Sequence, residues 1–281
     1  MLNSDKVKQL KNLIRDSFRI RPNHDPLYID VSNHLERLKA KQHQIIYGRR
    51  GSGKSCLLVH YKNTEAVKQK ALPIYIDTDE VKRLKYPDVL IRLILKIMES
   101  TPSANKGLFK NLFTKKSKVQ KSIKDLRKLL SQAENQKVVR EDKDSTSISG
   151  GVAQSGVTGS GTKTYSSGIR SEFEEQKLDS LERFLVDYKD SLITELTNSK
   201  FKFSSILIDD FYLIRKGSQP DVIDYLHRLC RGTDFYLKIG TVRHRTKLIR
   251  NEDQTIGIDG RQDMEEINLD RTLDNLSSPS E

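Results

Sequence analysis

The run Gly48-Arg49-Arg50-Gly51-Ser52-Gly53-Lys54-Ser55 constrains this chain more than any other feature, because it lies between a short apolar strand and a helix start. It fits G-x-x-x-x-G-K-[ST] without mismatch. Gln44 to Tyr47 reads as the strand and Lys54 to Tyr61 as the beginning of the helix. Glycines let successive backbone N–H groups curl inward without Cβ clashes, and the helix N-terminus adds a partial positive charge, so the turn suits a phosphate. Gly48, Arg50, Gly51, Ser52, Gly53, Lys54, Ser55 and Cys56 are therefore the expected nucleotide contacts. Lys54 is expected to reach the β- and γ-phosphates, and the Ser55 hydroxyl to ligate Mg²⁺. The expected cofactors are a nucleoside triphosphate and Mg²⁺.

Apolar strands alternating with helices surround this loop. Leu72 to Ile76 and Phe203 to Ile208 read as buried strands, Phe235 to Thr241 as a fourth and Met264 to Leu269 as a fifth. Helices are expected over Val31 to Lys39, Pro87 to Glu99 and Asp221 to Arg231. Ser171 and Glu174 form an S-x-x-E capping box expected to open a long helix with Leu178, Leu181, Leu185, Tyr188, Leu192 and Leu196 inward. The pattern predicts an α/β fold with a parallel five-stranded sheet covered on both faces.

Mg²⁺ beside a phosphate loop needs a carboxylate, and Asp209, at the end of the apolar strand FSSILIDD, has the context for it. The stretch reads as a Walker B motif. Its neighbour Asp210 is placed to orient or deprotonate an attacking water, the alternative being a helix cap. An N-K-x-D base-reading motif is not found after the third strand, which disfavours a GTPase. Ser149-Gly150-Gly151 only touches an ABC-type signature and lies far ahead of Asp209.

Together the Gly48–Ser55 loop, the Asp209-Asp210 pair and the polar strand end KIGTVRHR make the chain similar to AAA+ and STAND-type ATPases, over roughly residues 25–270. The nearest branch is the one related to origin-recognition initiators, found in bacterial mobile-element and anti-phage systems. The resemblance implies a three-layer core and ATP as the nucleoside triphosphate. It further implies that Thr241 senses the γ-phosphate or water, that Arg243 or Arg245 contacts the γ-phosphate in cis or across a subunit interface, and that the segment DPLYID, from Asp25 to Asp30, cradles adenine. It implies a helical lid after the fifth strand as well, yet only about a dozen residues follow Leu269, so the lid is expected to be missing.

Charge is uneven. The chain has 50 basic and 38 acidic residues. Residues 101–140 hold eleven basic residues against two acids, and residues 251–281 nine acids against two arginines. Clustered lysines such as Lys115, Lys116, Lys118 and Lys121 suit either a solvated helix face or a phosphate backbone. Leu108, Leu112, Ile123, Leu126, Leu129 and Leu130 give that segment a buried stripe, so it is expected to be helical. Residues 145–168 hold 17 Ser, Thr or Gly and read as a flexible tether or a hairpin. The expected organisation is an N-terminal helix over 1–24, a first core part over 25–100, an insertion over 101–200 and a second core part with an acidic tail over 201–281.

No window is apolar enough to span a bilayer, and the N-terminal segment lacks the apolar run of a signal peptide, so a cytoplasmic protein is expected. Cys56 and Cys230 have no ligand-spaced His or Cys nearby and read as reduced thiols. The favoured function is an ATP-dependent switch or slow ATPase acting on assembly, as a homo-oligomer or with a partner effector, in a prokaryotic defence or mobile-element system. The alternative is an ATPase that grips duplex DNA through the basic segment to regulate transposition or replication initiation. A P-loop small-molecule kinase ranks third, since no acceptor pocket or arginine-rich lid can be pointed to.

Overall fold

The computed structural model describes residues 28–30, 32–102, 118–131, 161–251, 255–260 and 262–270. Its elements are α1 (His34–Leu38), β1 (Gln44–Tyr47), α2 (Lys54–His60), β2 (Ala71–Asp77), α3 (Asp88–Glu99), α4 (118–131), α5 (Gly161–Thr197), β3 (Phe203–Asp209), α6 (Gln219–Cys230), β4 (Phe235–Thr241), β5 (Ile249–Asn251), β6 (Thr255–Gly257) and β7 (Glu265–Asn268). A π-helical turn, Tyr61–Glu65, and the short helix Ala66–Lys68 continue α2.

Five strands form one parallel sheet in the order β2-β3-β4-β1-β7. All seven residues of β3 are buried, Ser204, Ser205 and Asp209 included, as a strand covered on both faces requires. From β1 the chain crosses to the far edge for β2 and works back through β3 and β4, whereas β7 is added on the other side of β1. The order of construction thus reverses at β1, and in open α/β sheets that reversal leaves a crevice at the carboxyl ends of the strands.

Side chains alternate across the sheet, and one face packs against α2. Ile46, Phe203, Leu207 and Ile267 from the strands meet Leu57, Leu58, Tyr61 and Ala66 from α2 and its continuation in one buried cluster, with Leu38 of α1 beside them. The opposite face contributes Ile45, Ile206, Ile208, Leu237 and Ile239, all fully buried. The Tyr61 hydroxyl shares a 2.9 Å hydrogen bond with Ser205 inside the cluster, so the polar atoms there are matched.

By contacts, the described residues up to Arg83 and from Leu196 onward form one unit, and Leu84–Glu195 form another. The second unit holds α3, buried nearly all round through Val89, Leu90, Ile91, Leu93, Ile94, Leu95, Ile97 and Met98. Arg127 of α4 pairs with Glu99 at 2.6 Å, and Lys177 of α5 pairs with Asp88. Val119, Ile123 and Leu126 form the buried side of α4; Leu181, Tyr188 and Leu192 form that of α5.

Two expectations need correction. α5 begins at Gly161, so Ser171 lies nearly three turns inside it and the proposed capping box does not open the helix. For the same reason residues 161–168 of the Ser/Gly-rich run are helical rather than tether or hairpin. Once a helix is anchored by buried side chains, each further residue adds a hydrogen bond without a new nucleus, so it extends through weak helix formers. The antiparallel pair β5–β6 was not expected, because Ile249 and Ile256 alone carry too little alternation to mark strands. The N-terminal helix over 1–24, Leu108, Leu112, Lys115, Lys116 and Ser149 to Gly151 lie outside the described residues. No helix among the described residues is long and apolar enough to cross a membrane.

Candidate functional site

The loop after β1 follows from its glycines. Gly51 at φ 84° and Gly53 at φ 91° take the left-handed conformation that a side chain disfavours, and Gly53 leads directly into α2. Gly48 is needed for space instead: a Cβ there would lie 2.2 Å from Ser52 Oγ and 3.4 Å from Leu269 Cβ. Ser52 Oγ is buried in the loop and has no hydrogen-bond partner among the described residues. An unmatched buried hydroxyl is costly, and a ligand oxygen in the loop would match it.

Lys54, 5 % exposed, folds back so that its Nζ donates to the carbonyls of Gly48 at 2.8 Å and Arg49 at 2.9 Å. Burial lowers its pKa, and the carboxylates of Asp210, Asp209 and Asp270 oppose that effect. Asp270 accepts from the Arg49 backbone N–H at 3.0 and 3.1 Å, which tethers the loop to the chain after β7.

Asp209 ends β3 and is 3 % exposed. Its Oδ1 accepts from the Asp210 N–H at 2.9 Å, its Oδ2 from the Tyr75 hydroxyl at 2.8 Å, and the Ser55 hydroxyl donates to the same carboxylate. Burial raises its pKa, while these three donors stabilise the anion. The parallel register sets Asp77 directly beside Asp209. Asp210 follows in the left-handed region at φ 52°, a conformation Asp tolerates better than most side chains. The buried Thr78 hydroxyl holds that turn by donating to the carbonyls of Asp209 at 2.9 Å and Asp210 at 2.6 Å. Burial first, and then the Asp209 charge, raise the Asp210 pKa, which makes it a stronger base than an exposed carboxylate.

Gly240 of β4 faces this group: a Cβ there would sit 3.1 Å from Leu58 and 3.2 Å from Asp209 Oδ1. Thr241, one residue on, is fully buried, and its hydroxyl shares a 2.6 Å hydrogen bond with that of Thr246. Its carbonyl accepts from the Gly48 N–H at 3.3 Å, joining the ends of β4 and β1. Arg243 pairs with Glu266 at 2.7 Å and lies over the Tyr47 ring at 4.0 Å, whereas Arg245 lies over the Tyr212 ring at 4.6 Å. Gln219, fully buried at the start of α6, joins the segments after Asp210 and Thr241. Its Nε2 donates to Ile214 O at 2.8 Å, and its Oε1 accepts from Lys247 N at 2.7 Å. Cys56 is half-buried, with burial raising its pKa, and Arg50 is exposed at the rim. Tyr28, from the segment expected near adenine, packs 5.5 Å from the His60 ring. Lys118 and Lys121 are exposed on α4.

Lys54, Ser55, Asp209 and Asp210 thus meet beyond the carboxyl ends of β1 and β3. Sequence reasoning missed Tyr75, Asp77, Thr78, Asp270 and Gln219. One signal was available for Asp77: like Asp209, it is a carboxylate closing an apolar strand. Among the described residues no group of three or more His, Cys, Asp or Glu could cage a metal. Mg²⁺ needs no such cage, since it is commonly held by one or two carboxylates, water and substrate phosphates, and a Ser55 hydroxyl beside Asp209 has the right donor chemistry. The fold is compatible with a P-loop nucleotide-binding core but is not specific to one. The chain matches no protein-family model, and a search of curated proteins finds no relative.

Proposed function

We propose that this chain binds ATP with Mg²⁺ and hydrolyses it slowly, as a nucleotide-dependent switch of the AAA+ or STAND kind that controls assembly or an effector. The observation that carries the reading is the convergence of Lys54, Ser55 and Asp209 in the crevice where the strand order reverses. In this reading the loop N–H groups and Ser52 hold the β-phosphate, and Lys54 exchanges the Gly48 and Arg49 carbonyls for phosphate oxygens. The Ser55 oxygen would be a ligand to the metal while its hydroxyl proton goes on donating to the Asp209 carboxylate, which stays anionic. Bound Mg²⁺ would supply Lewis-acid polarisation of the phosphoryl oxygens. Asp210 takes the proton of the attacking water; one methylene shorter than Glu, it reaches less far, hence slow turnover. Gln219 links the segment behind Asp210 to the segment behind Thr241, a route by which phosphate contact at one would be felt at the other.

The test is ATP binding by calorimetry on the full chain. Lys54→Ala is expected to weaken affinity about 10- to 150-fold, the equivalent of roughly 1.5–3 kcal/mol for a charge-assisted hydrogen bond. Unchanged affinity would refute the phosphate-loop reading.

A second reading, duplex DNA binding, has its own support. Lys118, Lys121, Lys124 and Lys128 are exposed at spacings of three and four residues on α4, away from its buried Val119, Ile123 and Leu126. Such a stripe suits a phosphate backbone.

A further inference from the structure

The end of β2 supplies a wall of the site that the nucleotide motifs do not mention. Tyr75 lies on β2 two residues before Asp77, the register partner of Asp209, so its side chain emerges on the same face as that pair. Its hydroxyl reaches forward to Oδ2 of Asp209, 134 positions away in sequence, at 2.8 Å. The ring rests against the core cluster under α2, and the Lys62 ammonium lies 5.6 Å from its centre, so the phenol is held from both sides. The other carboxylate oxygen of Asp209 is engaged by the Asp210 N–H. The carboxylate plane is thereby set by two fixed donors, and the Ser55 hydroxyl approaches a group that cannot turn.

We propose that Tyr75 is the positioning residue of the metal site, holding Asp209 in the orientation that sets how tightly a divalent cation binds beside the nucleotide. The inference rests on the Mg–ATP reading. A donor of this kind acts by orienting a ligand it touches, and loss of such outer contacts typically weakens metal binding 10- to 100-fold. A neutral phenol leaves the negative charge of the carboxylate in place for the cation, which a lysine at the same position would cancel.

The experiment uses the full chain loaded with a fluorescent methylanthraniloyl ATP, titrated with Mg²⁺, with nucleotide affinity measured separately in EDTA. Tyr75→Phe is expected to raise the half-saturating Mg²⁺ concentration about tenfold or more, while affinity in EDTA stays within twofold. In an Asp209→Asn background the same change is expected to shift half-saturation by less than twofold, because the tyrosine acts through that carboxylate. Half-saturation that is unchanged in Tyr75→Phe, or that falls because the phenol had been competing with the metal, overturns the inference alone. So does an equal effect in both backgrounds. A parent chain that binds no nucleotide overturns this inference together with the ATP reading.

Discussion

Lys238 sits in the middle of β4 with no exposed surface, and its Nζ donates to Ala40 O at 2.9 Å and Gln44 Oε1 at 2.6 Å. Burial disfavours the cation, so its pKa is pushed down from 10.5 to about 7, with Glu265 only partly opposing. A lowered amine pKa means that the folded state prefers the neutral form. Between about pH 7 and 10.5 the unfolded chain therefore holds one more proton than the folded one, and stability rises with pH by about 1.36 kcal/mol per pH unit. From pH 7.5 to 9.5 the contribution of Lys238 grows by roughly 2–3 kcal/mol. Lys238→Met keeps the volume and removes the titration, while leaving the Ala40 carbonyl and the Gln44 amide oxygen without their donor, at about 1–3 kcal/mol each. The absolute stability of the variant mixes these effects, but its pH dependence does not. Urea unfolding of parent and variant at pH 7.5, 8.5 and 9.5, read by circular dichroism, is expected to show the difference between them growing by about 2–3 kcal/mol toward high pH. Taking the difference cancels the other groups that titrate in the window. A difference that stays constant across these pH values would mean Lys238 behaves as a solvated lysine and would refute the argument from burial.

Asp210→Asn is expected to keep Mg-ATP binding while slowing turnover about 100-fold or more, the usual contribution of a general base, because shape is kept and the proton acceptor lost. Asp209→Asn is expected to weaken Mg²⁺ dependence and nucleotide binding together; identical behaviour of the two in steady-state and binding assays would show that their roles are not divided. Changing Lys118, Lys121, Lys124 and Lys128 to Gln is expected to flatten the slope of log affinity for duplex DNA against log salt by up to about 3.6, since each phosphate neutralised contributes about 0.9. Absence of DNA binding by the parent at low salt in a filter assay would remove the nucleic-acid reading.

The parts of this site that could be read without coordinates are those made by neighbours in the chain. Gly48 to Ser55 is one turn, and its positive-φ glycines and its lysine follow from residues in contiguous order. Asp209 could be found because a carboxylate closing a run of buried apolar residues marks the end of a parallel strand, and β1 to β4 could be found because a strand buried on both faces has no polar alternation. The sheet itself was legible as parallel and five-stranded. Its order was not: that β2 lies next to β3, although α3, α4 and α5 intervene in sequence, is a matter of which surfaces bury each other. Tyr75 follows from that order, since a tyrosine in an apolar strand has no visible partner until the neighbouring strand is known. Gln219 and Lys238 escaped for a related reason, because a polar residue inside an element reads as solvent-facing until packing brings a matching carbonyl or amide to it. The start of α5 was misjudged because a capping signal describes where a helix can begin, whereas burial further along decides how far it extends. Local spacing thus specifies the chemistry of the loop, and long-range packing decides which side chains hold Asp209 and Asp210 in place, because only the folded sheet brings residues distant in sequence within hydrogen-bonding distance.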